Sequence, residues 1–195
     1  MESIDFVNLL PYADRLQSRP QESVDLIVVH CTELPDLATA REFGERILYR
    51  ESATGNSGHF YLEENGALHQ WVPIDRVAHH VRGYNERSLG IELCNPGRYP
   101  DWHDSRSQHM EYPYSASQLD KLTQFQNELT EYLPRLKYIS GHEHLDDERI
   151  SASDDAAIKV RRKRDPGPLF PWLDVLSATR LEFLNPRQDS STSRR

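Results

Sequence analysis

The chain has 195 residues, of which 37% are hydrophobic and 28% charged, and its formal net charge at pH 7 is −8. This length suits one domain with a real core, and the acidic balance argues against general binding to nucleic acid or to anionic membranes. The two cysteines are too few for a disulfide framework, no apolar run predicts a membrane span, and the acidic N-terminus is unlike a signal peptide. We therefore expect a cytoplasmic, monomeric protein.

The first half of the chain alternates short strands with one helix. In chain order it predicts an N-terminal arm (1–22), a buried strand (24–30), an amphipathic helix (37–51), a turn (55–58), a hairpin of two strands (59–62 and 68–72) and a further strand (88–94). A continuous β-branched run indicates that the first strand lies inside a sheet. The helix depends on Ile47 and Leu48, which continue its apolar spacing. Asn65 and Gly66 are the typical hairpin-turn signal.

The second half contains longer irregular stretches. In chain order it predicts a long loop (98–114), a helix (117–133), a short strand (138–140), a polar surface excursion (146–164), a last helix (170–183) and a disordered tail (185–195). Ser117 is the expected N-cap of the first of these helices, and Pro134 ends it. The alternation of strands and helices predicts an α/β fold, in which a single domain (23–184) has a central mixed β-sheet flanked by helices.

Two histidines and one aspartate from distant segments are candidate ligands of a catalytic metal. Such zinc sites use three protein ligands and leave a fourth position for water, whereas structural sites use four. His142 directly follows Gly141 at the end of a strand, and for that reason we prefer it to His144 as a ligand. The other two candidates are His30, which ends the buried strand, and Asp165, which precedes a proline. Each has an ordinary alternative, since His30 also suits a packed core, His142 a surface loop and Asp165 a helix cap.

Glu92 is a carboxylate inside the apolar strand 88–94. A buried glutamate is paired, neutral or active as an acid or base, and we favour the catalytic interpretation. Lys163 lies two residues before Asp165, so extended backbone points both side chains the same way. That places an ammonium group beside the metal, where negative charge develops on a substrate.

Other reactive residue types have weaker signals. Cys31 and Cys94 are interpreted as small core residues. One of His79 and His80 could face the cleft as a hydrogen-bond donor, and a surface pair is the equal alternative. The basic run 159–164 is by default a solvated face, although the carboxylates of a peptide would suit it.

An ordered set of short motifs connects these residues. It consists of IVVH at 27–30, GHFYL at 58–62, VAHH at 77–80, GYN at 83–85, SLGIEL at 88–93, GH at 141–142 and KRDPGP at 163–168. In this order the motifs are highly specific, and over residues 24–172 the chain resembles the zinc-dependent N-acetylmuramoyl-L-alanine amidases. That superfamily includes T7-type lysozyme, bacterial cytoplasmic anhydro-muropeptide amidases and peptidoglycan recognition proteins. The resemblance implies their fold.

The resemblance also assigns roles to individual residues. It implies zinc (Zn²⁺) held by His30, His142 and Asp165, with Glu92 as the general base and Lys163 beside the developing oxyanion. The T7-type enzyme has a tyrosine at the position that the resemblance matches to Gly58, which leaves the general-base role to Glu92. Substrate contacts are expected from His80, Tyr84, Asn85 and Arg162.

The implied activity is hydrolysis of the amide between N-acetylmuramic acid, or its anhydro form, and L-alanine in peptidoglycan fragments. Muropeptides are the expected partners, and cell-wall recycling is the expected role. The alternatives are a phage-type endolysin acting on intact peptidoglycan and a non-catalytic muropeptide-binding module. A complete ligand set argues against the module, because binding alone needs neither an open metal nor a buried base. Residues 146–162 lengthen the interval between the last two ligands, which suggests a lid or specificity loop.

Overall fold

A computed structural model of the protein describes residues 1–186, which contain short strands and four α-helices. The strands are β1 (Phe6–Val7), β2 (Leu26–Cys31), β3 (Phe60–Leu62), β4 (Leu68–Gln70), β5 (Ser88–Leu93), β6 (Tyr138–Gly141), β7 (Arg149–Ser151), β8 (Lys159–Arg161) and β9 (Glu182–Phe183). The helices are α1 (Leu37–Gly44), α2 (Ala116–Tyr132), α3 (His142–Leu145) and α4 (Trp172–Ser177). Within the described part of the chain, no helix is both long and apolar enough to cross a lipid bilayer.

Seven of the strands form one mixed sheet in the order β1-β4-β3-β5-β2-β6-β9. Neighbours in this sheet are parallel except β3 and β4, which form the predicted antiparallel hairpin. Every residue of β2 is buried, as its continuous apolar sequence predicted. The strand register fixes which residues lie side by side where the strands end. His30 lies opposite Glu92, and Val29 lies opposite Gly141. The predicted α/β fold with a central mixed sheet is confirmed.

Two large apolar clusters stabilise the sheet. The two clusters lie on opposite faces of the sheet, because successive side chains of a strand point to opposite faces. Phe60 and Leu62 belong to one cluster and Tyr61 to the other. The first cluster is closed by α2, whose buried residues include Phe125. The second includes Leu10, Tyr12 and Leu16, from the segment predicted as an N-terminal arm, and β1 of that segment forms an edge strand of the sheet.

The helix predicted over residues 37–51 is wrong in length, because α1 ends at Gly44. The Tyr12 hydroxyl donates a hydrogen bond of 2.6 Å to the Gly44 carbonyl, close to where the helix ends. The chain then turns back so that Tyr49 and Thr54 form a bridge. Leu48, which the apolar spacing placed on the buried face of a helix, is 55% exposed. The predicted turn at 55–58 is also displaced, since the turn residues lie at 50–53.

Two details of the second half also differ from prediction. The N-cap of α2 is Ser115 rather than Ser117, since its hydroxyl accepts a hydrogen bond from the Gln118 backbone N–H. The helix predicted over 170–183 is limited to α4, and the chain continues as β9, which pairs with β6. Sheet pairing therefore outweighs helical spacing there. Of the predicted disordered tail, residues 187–195 lie outside the described residues.

The polar stretch predicted as a surface excursion contains a hairpin formed by β7 and β8. Its tip is held to the long loop 98–114, which has no helix or strand, as predicted. Ser153 donates its backbone N–H to the His103 carbonyl at 2.9 Å, and Ser105 donates its backbone N–H and its hydroxyl to Asp154 at 2.7 Å each. The loop and the hairpin thus form one wall beside the sheet edge.

Candidate active site

The carboxyl ends of the parallel strands β2, β5 and β6 meet at one edge of the sheet. His30 lies near the end of β2, Glu92 near the end of β5, and His142 directly after β6. Asp165 reaches the same place from the segment after β8, where its carbonyl accepts a hydrogen bond of 2.9 Å from the Glu143 backbone N–H. The fold therefore brings together residues that are far apart in the sequence.

Three side-chain atoms form a nearly equilateral triangle at this edge. His30 Nδ1 lies 2.9 Å from Asp165 Oδ2, and His142 Nδ1 lies 3.1 Å from each of those two atoms. A tetrahedral zinc ion with bonds of about 2.0–2.1 Å holds its ligand atoms about 3.3 Å apart. The spacing therefore fits one such ion, with a slight expansion of the triangle.

The surroundings of the triangle also fit a cation. All three side chains are buried, so their polar atoms have little access to water. The second carboxylate oxygen, Asp165 Oδ1, is buried and has no hydrogen-bond partner among the described residues. Two imidazole nitrogens facing each other beside a carboxylate are poorly satisfied by hydrogen bonds alone. Two histidines and one carboxylate are a donor set that zinc prefers.

Electrostatics keep the triangle in the form a metal needs. Burial raises the pKa of Asp165, but His142 and Lys163 outweigh burial and hold that pKa well below its usual range. Burial lowers the pKa of His142, and the neighbouring aspartate opposes part of this effect. Both shifts favour the deprotonated forms that metal ligands need.

His144, the competing candidate, lies elsewhere. Its ring contacts two aromatic rings, with centroids 5.5 Å from Trp172 and 5.0 Å from Phe183. The segment is a turn of helix rather than extended chain, so the two histidines point in different directions. The structure therefore places His142, and not His144, beside His30 and Asp165.

Glu92 lies beside the triangle and depends on a glycine for its place. A Cβ atom on Gly58 would lie 2.7 Å from Glu92 Cγ, so any larger residue at position 58 would displace the glutamate. Burial raises the pKa of Glu92 to about 7, with His30 and Lys163 lowering it and Asp165 adding to the rise. A carboxyl group with this pKa can both accept and return a proton near neutral pH.

Tyr61 is a site residue that the sequence interpretation missed. It is buried, lies opposite Glu92 in the pairing of β3 with β5, and lines the same cavity. Its hydroxyl lies 3.0 Å from Ser57 Oγ and accepts a hydrogen bond of 3.3 Å from the Gly58 backbone N–H. Only the pairing of β3 with β5 in a parallel register could have identified it.

The site opens into a cavity of about 750 Å³. Most of the predicted site residues line it: His30, His80, Asn85, Glu92, His142, Arg162, Lys163 and Asp165. Tyr84 is not among its lining residues, and its ring packs against the cluster of Leu26, Val28 and Val81. Because the ring packs in this apolar cluster and does not line the cavity, the structure does not support a substrate contact for Tyr84.

His80 makes contacts with both ring nitrogens. Its Nδ1 lies 2.9 Å from His30 Nε2, and its Nε2 lies 3.2 Å from Ser88 Oγ. Burial lowers its pKa well below the usual value, and the neighbouring rings of His30 and His59 lower it further. His80 is therefore neutral, and neither ring nitrogen is left for a substrate.

A buried ion pair joins the two walls of the cavity. Arg98 donates to both carboxylate oxygens of Glu33, at 2.6 and 2.8 Å. The same guanidinium donates at 3.1 Å to the carbonyl of Arg161 and at 3.4 Å to that of Arg162. Since Arg162 directly precedes Lys163, this pair fixes the backbone that carries the lysine into the cavity.

Cys31 follows His30 and is buried. Its thiol donates to the Asn95 carbonyl at 3.2 Å, and burial raises its pKa, with Glu33 adding to the rise. The thiol is thus protonated. The structure agrees with its interpretation as a small core residue, although it also forms part of the cavity lining.

Comparison with known proteins identifies the family to which this chain belongs. Residues 20–168 match the sequence profile of the Amidase_2 family, described as N-acetylmuramoyl-L-alanine amidase. Among curated proteins, the N-acetylmuramoyl-L-alanine amidase AmiD of Escherichia coli (strain K12) is 34% identical over 118 residues, which are 55% of this chain and 37% of that protein. The chain therefore matches little more than a third of this curated relative.

Solved structures share the fold. The N-acetylmuramoyl-L-alanine amidase LysC from Clostridium intestinale URNW superimposes with a TM-score of 0.62 at 18% identity, covering 91% of this chain and 97% of that one. AmiD from E. coli, in complex with anhydro-N-acetylmuramic acid-L-Ala-D-γ-Glu-L-Lys, superimposes with a TM-score of 0.59 at 19% identity, covering 91% and 65%. At these identities the likeness shows the fold.

Proposed function

The chain belongs to the N-acetylmuramoyl-L-alanine amidase family, and from this premise we propose that it hydrolyses the amide bond between N-acetylmuramic acid and L-alanine in peptidoglycan fragments. We propose residues 23–184 as the zinc amidase domain, with residues 1–22 packed against it. The observation that carries the proposal is the buried triangle of His30, His142 and Asp165 beside a glutamate in a cavity. Binding alone would need no such arrangement.

His30, His142 and Asp165 would hold one zinc ion. A zinc ion bound there would supply a Lewis acid for the scissile carbonyl and would lower the pKa of water to about 7. The pKa values of Asp165 and His142 are both lowered, which favours the deprotonated forms that metal ligands need. The site is therefore organised in advance for its cofactor.

Glu92 and Lys163 would carry the remaining chemistry. Glu92, with a pKa of about 7, accepts the proton of the attacking water and returns it to the leaving amine of L-alanine. Lys163 lines the cavity beside Asp165 and stabilises negative charge as it develops on the scissile carbonyl oxygen. The proton that leaves water thus ends on the new amino group.

The form of the cavity supports small, soluble substrates. Its volume of about 750 Å³ suits one muropeptide rather than a glycan strand. Arg162 lines this cavity, and its guanidinium suits a carboxylate of a stem peptide. We propose that the protein acts as a monomer on free anhydro-muropeptides in the cytoplasm, as part of cell-wall recycling.

Mass spectrometry of muropeptides tests the proposal. The zinc-loaded protein is incubated with soluble anhydro-muropeptide and, separately, with purified cell wall. We expect the soluble substrate to yield a free peptide beginning at L-alanine, and a strong chelator to stop this release until zinc is returned.

Each other outcome has a definite meaning. Faster release from intact wall than from the soluble fragment would favour an endolysin. Binding of the fragment without any cleavage would favour a muropeptide-binding module. Cleavage that withstands complete removal of metal would overturn the metal site.

A further inference from the structure

The second ring nitrogen of His30 faces away from the other candidate ligands. Its Nδ1 belongs to the triangle with His142 and Asp165, whereas its Nε2 lies 2.9 Å from His80 Nδ1. A histidine can bind a metal through Nδ1 only when its single proton is on Nε2. Asp165 competes for that proton at Nδ1, so His30 is ready to bind a metal only when the partner of Nε2 accepts the proton instead.

The direction of each hydrogen bond follows from the end of this series. The Ser88 hydroxyl donates its only proton to the Tyr84 carbonyl at 2.8 Å. Ser88 Oγ must then accept at its contact with His80 Nε2, at 3.2 Å, so His80 carries its proton on Nε2. The Nδ1 of His80 is left as an acceptor, and it faces the N–H of His30.

His80 is also held in place. Its backbone N–H donates at 3.1 Å to the Asn85 side-chain oxygen. Its ring packs so closely on Gly90 that a Cβ atom there would lie 2.7 Å from the ring, and it meets the His59 ring edge-on with centroids 5.6 Å apart. The ring cannot turn away from His30 without a shift of the strand beneath it.

We propose that His80 is a positioning residue, which orients His30 and fixes the tautomer that presents Nδ1 to the metal. The polar series His30–His80–Ser88, ending at the Tyr84 carbonyl, anchors a ligand to the backbone. This inference rests on the metal site of the proposed function. It replaces the expectation that His80 donates to the substrate.

Zinc affinity of the full chain is the first test, measured by competition with a fluorescent chelator. His80→Phe keeps the ring volume but removes the acceptor, and we expect zinc to dissociate about 10–100-fold more readily. His80→Asn keeps an acceptor at the position of Nδ1, and its affinity should lie close to that of the wild type.

His79→Phe is the matched control. His79 is the adjacent histidine and lines the same cavity, but its ring packs against Tyr49, with centroids 4.8 Å apart, rather than against His30. We expect its zinc affinity to be unchanged. Thermal unfolding of each metal-free variant shows whether the fold has been kept.

Two outcomes overturn the inference while leaving the proposed function intact. In one, His80→Phe binds zinc as tightly as the wild type. In the other, His80→Phe and His80→Asn weaken zinc equally, which would mean that the ring acts by packing. A wild-type chain that binds no zinc would instead end the proposed function, and this inference would fall with it.

A second measurement does not depend on any variant. In the metal-free wild type labelled with ¹⁵N, two-bond couplings in the histidine rings report which nitrogen of His30 carries a proton before any metal is bound. We expect the proton on Nε2, protected from exchange with water. A proton on Nδ1 would overturn the inference.

Discussion

The two sides of the cavity are built by different means. On the sheet side, His30 and Glu92 are placed by the backbone register of β2 and β5. On the loop side, formed by residues 98–114 and 146–165, ion pairs between side chains hold the backbone. A register cannot shift by one residue without turning every side chain to the other face, whereas an ion pair can be exchanged. The loop side also contributes Asp165 and Lys163, so the chemistry rests on both sides, and the part free to vary with the substrate is the rest of the loop side.

The loop side itself contains an inner and an outer layer. The inner Arg98–Glu33 pair has side chains that are 1% and 8% exposed, and loss of one partner of such a pair costs about 3–5 kcal/mol. The outer Arg82–Glu148 pair has side chains 70% and 44% exposed, and such pairs contribute about 0–1 kcal/mol. We therefore expect substitutions in the outer pair to reduce stability less than substitutions in the inner pair.

The largest effect is expected on the sheet side, from His30→Ala. Removing this ligand should abolish zinc binding and reduce turnover to background, whereas the wild type should hold about one zinc per chain. Metal analysis of the purified chains checks this. His144→Ala is the control and should keep its zinc, because that ring packs against Trp172. If His144→Ala loses zinc while His142→Ala keeps it, the second ligand has been wrongly assigned.

Glu92→Gln should separate chemistry from metal binding. The amide keeps the shape of the side chain but cannot accept a proton, so turnover should fall roughly 10²–10⁴-fold with zinc content unchanged. Steady-state kinetics on the metal-replete variant measure the fall. Recovery of the rate with excess zinc would show that Glu92 orients a ligand instead.

Lys163→Met tests the cation that the loop side contributes. Turnover should fall about 10²–10³-fold while KM changes little, since the lost interaction forms mainly in the transition state. Lys159→Met is the matched control, because Lys159 is exposed and bonds only to Ser151 among the contacts seen for it. Equal rates in the two variants would contradict the role of Lys163.

Gly58→Ala tests how firmly the sheet side holds Glu92. The added methyl group would lie 2.7 Å from Glu92 Cγ, so the carboxylate must move. A misplacement of a catalytic group by about 1 Å costs about 10²-fold in rate, and we expect a loss of that order. Kinetics with soluble muropeptide measure the loss. Wild-type turnover in this variant would show that Glu92 is mobile and that the comparison between the two sides is overstated.

Arg82→Ala should give the smallest effect. It breaks the outer pair with Glu148, and we expect the free energy of unfolding to fall by less than about 1 kcal/mol with kcat unchanged. Denaturant titration and kinetics check the two quantities. A loss of stability as large as that of a buried pair would contradict the division into layers.

The sequence was informative where local pattern and global fold agree. The buried strand ending at His30 and the strand containing Glu92 follow from apolar runs, and their parallel pairing brings the strand ends together. The hairpin at Asn65–Gly66 follows from turn chemistry, and Gly66 has the expected positive φ of 90°. Parallel strands bury both faces, so their sequence signal is strong.

Features that depend on tertiary contacts could not be predicted in the same way. Leu48 fits a helix by spacing, but the Tyr12 hydroxyl bonds the Gly44 carbonyl near the point where that helix ends. Tyr61 and the Arg98–Glu33 pair become site features only through partners more than 30 residues away in sequence, such as Glu92 and Glu33. Tyr84 sits in a recognisable motif, yet its ring packs in an apolar cluster rather than in the cavity.

The distance in sequence between the metal ligands links the cofactor to folding. His30 and Asp165 are separated by 135 residues, so an unfolded chain cannot bring them together around one ion. A ligand that binds only the native state adds RT ln(1 + [L]/Kd) to stability, about 4 kcal/mol when free zinc is 1,000 times its Kd. The unfolding temperature of this chain therefore serves as a thermodynamic gauge of how much of the site is filled, readable without any substrate.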